Sequence, residues 1–166
     1  MEDKQPQIED IVIRRIIAAP VALVWQAWTD PELIVRWWGP ARYTSPSAKV
    51  ELREGGRYIF CMQAPPEQGG QALYNTGTYS RVVPNELLEF TMSLSDSEGN
   101  PIDPASIGMP ADFPPVIRTR IEFVAIRKDV TELIITEYDW EMGLQAVFSY
   151  AGMHESLDKM SLEIGN

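Results

Sequence analysis

The first forty residues combine one dense apolar run with apolar positions at helical spacing. Residues 11–17 are rich in β-branched side chains, a pattern typical of a strand. From Val21 to Trp28, apolar residues recur three and four positions apart, as they do on one face of a short helix. The pair Asp30-Pro31 supplies a cap and a first-turn proline for a second helix, and Gly39-Pro40 ends it.

From about residue 43 the apolar positions recur with a period of two, which predicts strands. In residues 57–63, for example, Tyr58, Phe60 and Met62 share one face. The connections are rich in Gly, Pro and Asn and short enough to join antiparallel neighbours. The six strands predicted for this meander are residues 44–53, 57–63, 73–83, 86–94, 116–126 and 131–139.

Residues 95–115 interrupt this rhythm with five prolines, two glycines and no clear period. Loops longer than about 12 to 15 residues are uncommon in compact domains and often form lids or insertions. As a lid, the segment would close over an opening with Met109 and Phe113. A surface insertion without function is the alternative.

The last 25 residues return to helical spacing, and their apolar stripe spans about five turns. One strand, two short helices, six more strands and a long terminal helix exclude a doubly wound sheet. They favour a single α+β domain over residues 1–166 with a helix-grip fold, in which a curved antiparallel sheet and two short N-terminal helices pack around the C-terminal helix. The stripe consists of Ala146, Ser149, Tyr150, Met153, Leu157, Met160 and Ile164.

The charge balance and the N-terminus limit the cellular setting. A net charge of -10, from 24 acidic and 14 basic residues, argues against nucleic acid and membrane surfaces as partners. Residues 1–6 are polar with no apolar signal region behind them. The single cysteine excludes an internal disulfide, which fits a reducing compartment. The sequence therefore predicts a cytoplasmic protein.

Catalytic and metal sites are poorly supported by the sequence. The one cysteine and the one histidine, Cys61 and His154, lie on distant elements without ligand spacing. His154 falls at the border of the apolar helical stripe, as solvated histidines often do. Cys61 alternates with Phe60 and Met62 and is expected to face away from the interior and to be inert. We therefore predict no catalytic residue, no metal ligand and no cofactor.

Glu137 is the best polar candidate for a pocket. By alternation it shares a face with Leu133, which should point inward. An inward carboxylate must find a donor or stay protonated. Arg118, Arg120 or Tyr79 could be its partner, and a strand-end glutamate that reaches solvent is the alternative.

An apolar set of inward-facing side chains surrounds this position. Each one alone is more readily explained as core, but pockets for small ligands are mostly apolar with a few placed polar groups. Trp37 and Trp38 are expected to divide their roles, one anchoring the second helix and the other reaching the pocket rim. The predicted ligand-binding residues are Trp38, Tyr58, Phe60, Met62, Tyr79, Phe90, Met92, Phe123, Glu137, Met153, Leu157 and Met160.

A tryptophan-rich signature gives these patterns a family resemblance. The motifs Trp28-Thr29-Asp30-Pro31-Glu32, Arg36-Trp37-Trp38-Gly39-Pro40 and Arg53-Glu54-Gly55-Gly56 resemble those of homologues of the activator of the heat-shock protein 90 ATPase. That family belongs to the START and birch-pollen-allergen superfamily, the polyketide cyclase-like SRPBCC proteins. The resemblance implies a helix-grip fold with a hydrophobic cavity between sheet and helix. It implies no shared reaction, because members serve as co-chaperones, as ligand carriers or in unassigned roles.

The chain departs from the family pattern at three places. Gly152-Met153 stands where the family usually has Gly-Trp, and Met160 stands where leucine is usual. Both changes keep an apolar but more flexible side chain. The segment 95–115 is also longer than is typical. These departures leave the fold intact and weaken any transfer of ligand identity.

Three functions follow from these observations. The leading hypothesis is non-catalytic binding of a hydrophobic or aromatic small molecule. The second is a protein–protein module that activates a chaperone in the stress response, using the acidic surface and the corner at residues 37–40; the eukaryotic activator has a further domain that this chain lacks. The third is a cyclase- or hydrolase-type enzyme relying on Glu137, His154 and a tyrosine. The sequence leaves a homodimer open.

Overall fold

Seven antiparallel strands form one curved sheet in the computed structural model, which describes residues 4–165. The strand order is β1-β7-β6-β5-β4-β3-β2, so each strand from β2 to β7 pairs with its neighbour in sequence, and β1 joins the far edge. This is the predicted meander. The strands are β1 (Ile8–Ile17), β2 (Ala48–Val50), β3 (Arg57–Gln63), β4 (Ala72–Val83), β5 (Leu87–Ser95), β6 (Ile117–Arg127) and β7 (Val130–Glu141).

Three α-helices accompany the sheet: α1 (Val21–Thr29), α2 (Pro31–Trp37) and α3 (Leu144–Ile164). The boundary between α1 and α2 is set by Asp30, whose side chain accepts a hydrogen bond from the Glu32 amide at 2.9 Å. Pro31 follows in the first turn, where its missing N–H costs nothing. The predicted α+β helix-grip fold, with two short helices before the meander and a long one after it, is confirmed.

The prediction of a ten-residue strand at residues 44–53 is wrong, because only Ala48–Val50 pair as β2. Pro46 has no N–H to donate to a sheet ladder. Thr44 makes only an isolated bridge to β3. Beyond β2 the chain turns, and the Arg53 amide donates to the carbonyl of Glu51 at 2.9 Å. The sheet consequently ends in a very short edge strand.

The core lies between the concave face of the sheet and the helices. Inward side chains of β6 and β7, including Ile121, Leu133 and Ile135, are fully buried, as are Leu157 and Met160 on α3. Burying one such side chain contributes about 1.5 to 3 kcal/mol. The second half of α3 is therefore fixed against the sheet by apolar packing.

Polar contacts hold α3 to two further parts of the chain. Arg15 of β1 donates to the Asp158 carboxylate at 2.7 Å and to the His154 carbonyl at 3.2 Å. On the other side, Lys159 Nζ donates to the backbone carbonyls of Pro40 and Tyr43 at 3.1 and 3.0 Å. These contacts fix the helix relative to the loop that follows α2.

The segment 95–115 has more local order than its composition suggests. The Asp96 carboxylate accepts hydrogen bonds from the amides of Glu98 and Asn100, both at 2.9 Å. A short 3-10 helix at Pro104–Ile107 follows, capped by Asp103.

None of the helices in residues 4–165 combines the length and apolar character that crossing a bilayer requires.

Candidate functional site

A cavity of about 330 Å³ lies between the first half of α3, the sheet and the segment 109–114. This volume is at the lower end of the range for small-molecule sites, about 300 to 1,000 Å³. The loop after α2 borders it through Trp38, Gly39 and Pro40. The sheet contributes residues from β3 to β7. The cavity is thus bounded by every layer of the fold.

Four methionines make up much of its apolar wall. Met62 and Met92 come from the sheet, Met109 from the segment after β5, and Met153 from α3. Phe113 adds an aromatic face and packs edge-on against Trp140, with ring centroids 6.1 Å apart. Methionine side chains adapt to irregular shapes, so this wall can adjust to guests of different outline.

The long segment after β5 supplies one side of the cavity, through Met109, Phe113 and Pro114. Phe113 also packs against the core residue Trp140. This placement is compatible with the predicted lid, and a closing function of the segment stays a prediction.

Glu137 is the one acidic residue among the described residues that line the cavity. It lies on β7, faces inward as the alternation predicted, and is 3% exposed. Burial raises the pKa of its carboxyl to about 7, while the nearby Trp140 indole and Ser149 hydroxyl partly oppose that increase. Glu137 Oε1 and Trp140 Nε1 nevertheless both lack a hydrogen-bond partner.

None of the three predicted partners of Glu137 binds it. Arg118 pairs with Asp139 at 2.9 Å, and Arg120 contacts Glu89 at 3.3 Å. Both arginines alternate along β6 with buried residues, so they lie on the outer face of the sheet. Tyr79 is buried but makes no hydrogen bond with the carboxylate. The alternative, a glutamate that reaches solvent, is also wrong.

The two adjacent tryptophans divide their roles as expected, and the structure shows which does what. Trp37, the last residue of α2, is buried and donates from Nε1 to the Ala27 carbonyl at 2.9 Å. Trp38 follows with an extended backbone, and its ring lies on the cavity wall. Its Nε1 is buried without a partner. Because both rings are buried, the corner at residues 37–40 does not offer the exposed aromatic surface expected of a chaperone-binding site.

Five of the twelve predicted ligand-binding residues line the cavity, and seven lie in the core beside it. The five are Trp38, Met62, Met92, Glu137 and Met153. Tyr58, Phe60, Tyr79 and Phe90 pack on one another with centroids 4.6 to 6.1 Å apart. Phe123 packs on Trp25, and Leu157 and Met160 are fully buried. Ligand contact remains a prediction for the five on the wall.

Sequence reasoning missed a stripe of small and polar residues on α3. Gln145, Ser149, Gly152 and Ser156 all line the cavity. They recur at intervals of four, three and four residues, which is helical spacing. That periodicity is visible in the sequence, and it lies on α3 beside the larger Phe148 and Met153, which also line the cavity.

Cys61 and His154 lie away from the cavity wall. Cys61 is on the outer side of β3, as predicted, but is buried rather than exposed, and burial raises the pKa of its thiol. His154 contacts Arg15 and packs against Tyr150, with ring centroids 4.5 Å apart. Of the two acid–base candidates named for the enzyme hypothesis, Glu137 lines the cavity and His154 does not. In residues 4–165, no three His, Cys, Asp or Glu side chains stand close enough together to hold a metal ion.

Solved structures share this architecture. A protein from Chromobacterium violaceum is 22% identical, with a TM-score of 0.73 over 95% of this chain and 97% of that chain. A protein from Nitrosomonas europaea is 23% identical, with a TM-score of 0.70 over 92% of both chains. An AHSA1-like protein from Aeromonas hydrophila is 24% identical, with a TM-score of 0.68 over 93% of this chain and 90% of that chain. At these identities the likeness shows the fold alone.

The family is shown by a separate comparison. No curated protein matches this chain significantly. The model of the family described as "Activator of Hsp90 ATPase homolog 1-like protein" matches residues 18–164, from the end of β1 to the end of α3. The chain therefore belongs to the Activator of Hsp90 ATPase homolog 1-like family, and the resemblance carried by its tryptophan-rich signature is confirmed.

Proposed function

We propose that this chain binds a hydrophobic or aromatic small molecule in the cavity and catalyses no reaction on it. The observation that carries the proposal is the combination of a 330 Å³ cavity, a wall rich in methionine and aromatic side chains, and one buried carboxyl whose Oε1 has no hydrogen-bond partner. Small-ligand sites have this composition, with apolar walls and a few polar groups that set orientation.

The size of the cavity limits affinity. Drug-sized ligands gain about 0.3 kcal/mol per non-hydrogen atom. A guest of about 20 such atoms would therefore bind with a Kd in the range of about 10 to 100 μM. Binding in that range is measurable by calorimetry and by the thermal shift of the protein.

A cavity-filling variant tests the proposal. Met153 lines the cavity on α3, and the larger ring of Met153→Trp would occupy much of the space. We expect this variant to stay folded and to lose the thermal stabilisation that apolar aromatic compounds give the wild type. The matched control is Leu162→Trp, which adds the same ring to α3 at a position that is 85% exposed. An apolar compound library that stabilises neither the wild type nor the control would refute the proposal, as would equal stabilisation of the wild type and Met153→Trp.

A second candidate function, binding of a protein partner such as a chaperone, is favoured by the family and by an apolar groove between β1 and α3. Val12, Val147 and Tyr150 line this groove and are about half exposed. Substituting Val147→Asp should weaken a complex formed there and leave ligand binding in the cavity unchanged. An unaltered chaperone ATPase rate together with no complex in size-exclusion chromatography would exclude this function.

A further inference from the structure

We infer that the ligand of the cavity is a lipophilic amine, an apolar molecule whose one protonated nitrogen pairs with the carboxylate of Glu137. The inference rests on the proposed function, since it names the class of molecule that the same cavity would hold. It is carried by the buried carboxyl, whose Oε1 has no hydrogen-bond partner, and by the charges of the groups around it.

The Glu137 carboxyl is incompletely hydrogen-bonded. Its Oε1 has no hydrogen-bond partner, although the side chain is almost fully buried. Directly across the β6–β7 register lies Thr119, whose buried hydroxyl is also without a partner. Buried acceptors left unpaired are costly and rare in native proteins. A donor that enters from the cavity would remove that cost, and an ammonium group carries three donors.

The charged groups around the cavity limit the charge of its ligand. No Lys, Arg or His is among the described residues that line it. Arg118 and Arg120 of β6 point to the outer face and are paired there with Asp139 and Glu89. A carboxylate or phosphate on a ligand would therefore meet Glu137 without a compensating cation. Fatty acids and other anionic lipids do not fit this site.

A cation and a neutral donor such as an alcohol differ in their charge. Both can donate a hydrogen bond to an ionised carboxylate, but only the ammonium is also attracted to it as an opposite charge, and the surrounding apolar wall reduces the screening of that attraction by water. The Trp38 ring lies on the same wall, and aromatic faces attract ammonium groups. The site therefore favours the amine over an alcohol of equal size.

Protonation provides a second, independent signature. The free carboxyl is partly protonated near neutral pH, because burial raises its pKa, and a bound cation would lower that pKa again. The charge of Glu137 also acts on Tyr58 of β3, which burial keeps neutral. From α3 the Ser149 hydroxyl faces the carboxyl, and the uncharged Gln145 and Ser156 line the same cavity, as does Tyr43 from the loop after α2. Amine affinity should therefore rise from pH 5 to pH 8, whereas alcohol affinity should not.

Three probes of equal length test the inference: 4-phenylbutylamine, 4-phenylbutan-1-ol and 4-phenylbutanoate. Isothermal titration calorimetry on the full chain at pH 7.5 should show the amine binding about 10-fold tighter than the alcohol, and the carboxylate binding weakest. In Glu137→Gln the amine preference should fall to about 2-fold or less, with alcohol affinity little changed. Glu132→Gln, which removes the same charge from the outer face of β7, should behave like the wild type.

The outcomes separate the two proposals. Equal binding of amine and alcohol by the wild type, or an amine preference that survives in Glu137→Gln, would overturn the amine inference and leave ligand binding intact. Failure of all three probes to bind would overturn both. Should Glu137→Gln fail to fold, the pH dependence of the two wild-type affinities still decides the matter, because parallel profiles for amine and alcohol would overturn the inference.

Discussion

Glu137→Gln should change how the stability of this protein depends on pH. The substitution keeps the shape of the side chain but removes a carboxyl that is 3% exposed and whose Oε1 has no partner. In the unfolded chain the same carboxyl is surrounded by water. The carboxyl therefore ionises over different pH ranges in the folded and unfolded states. Because of this difference, the free energy of unfolding depends on pH.

The size of the effect follows from the pKa. Burial raises the pKa of Glu137 from 4.5 to about 7, and each pKa unit corresponds to about 1.4 kcal/mol. Below pH 4.5 the carboxyl is protonated in both states. Between 4.5 and 7 the unfolded chain releases its proton first, so the folded state binds more protons and stability falls as pH rises. Above pH 7 the decrease in the free energy of unfolding levels off at about 3 kcal/mol.

The assay is urea denaturation of wild type and variant at half-unit intervals from pH 4.5 to 8. Other carboxylates titrate in both proteins, so the informative quantity is the difference between their free energies of unfolding. We expect that difference to grow in favour of Glu137→Gln by about 2 to 3 kcal/mol across this range. Glu132→Gln, altered on the outer face of the same strand, should follow the wild type. Parallel curves for wild type and Glu137→Gln would refute the claim that the carboxyl is buried and unpaired.

Three further predictions concern the elements that frame the cavity. Trp37→Phe removes the 2.9 Å hydrogen bond to the Ala27 carbonyl and should lower the free energy of unfolding by about 1 to 3 kcal/mol, measured by urea denaturation; an unchanged midpoint would contradict the anchoring role. Gly77→Ala should cost about 3 kcal/mol or more, seen as lost soluble yield or a lower Tm, because a Cβ there would lie 1.7 Å from the Thr91 carbonyl oxygen. Cys61 is buried, and burial raises the pKa of its thiol. The thiol should therefore react with a thiol reagent about 100-fold more slowly in the folded protein than in urea. Fast labelling of the folded protein would contradict this burial.

The sheet and its register were predictable because their physical cause is local. Alternation along β7 places Leu133, Ile135 and Glu137 on one face whatever the rest of the chain does, and all three are buried. The length of an edge strand depends less on the alternation of apolar and polar residues, and the prediction of a strand at residues 44–53 was wrong for this reason. Its alternation is acceptable, but Pro46 and the turn at Arg53 leave only three residues to pair.

The site was harder to predict because it depends on how much of the interior is left unfilled. The sequence indicates that Tyr58, Phe60 and Phe90 point inward, and they do, but inward side chains close the space when their neighbours are also large. These rings pack on one another at 4.6 to 5.7 Å. Only three-dimensional packing separates such a cluster from the open space beside it. The same holds for Trp37 and Trp38, which are neighbours in sequence and have different surroundings.

The position of the cavity follows from the two unlike halves of α3. In its second half, Leu157 and Met160 are fully buried and fill the hollow of the sheet. In its first half, Ser149 and Gly152 turn toward the sheet, and side chains of that size cannot span the same gap. An empty space in the interior costs stability, because the side chains that line it lose van der Waals contacts. Small residues at helical spacing opposite a wall of methionines therefore mark the end of the fold where the proposed ligand would lie, and Met153, between the two halves, would limit the size of that ligand.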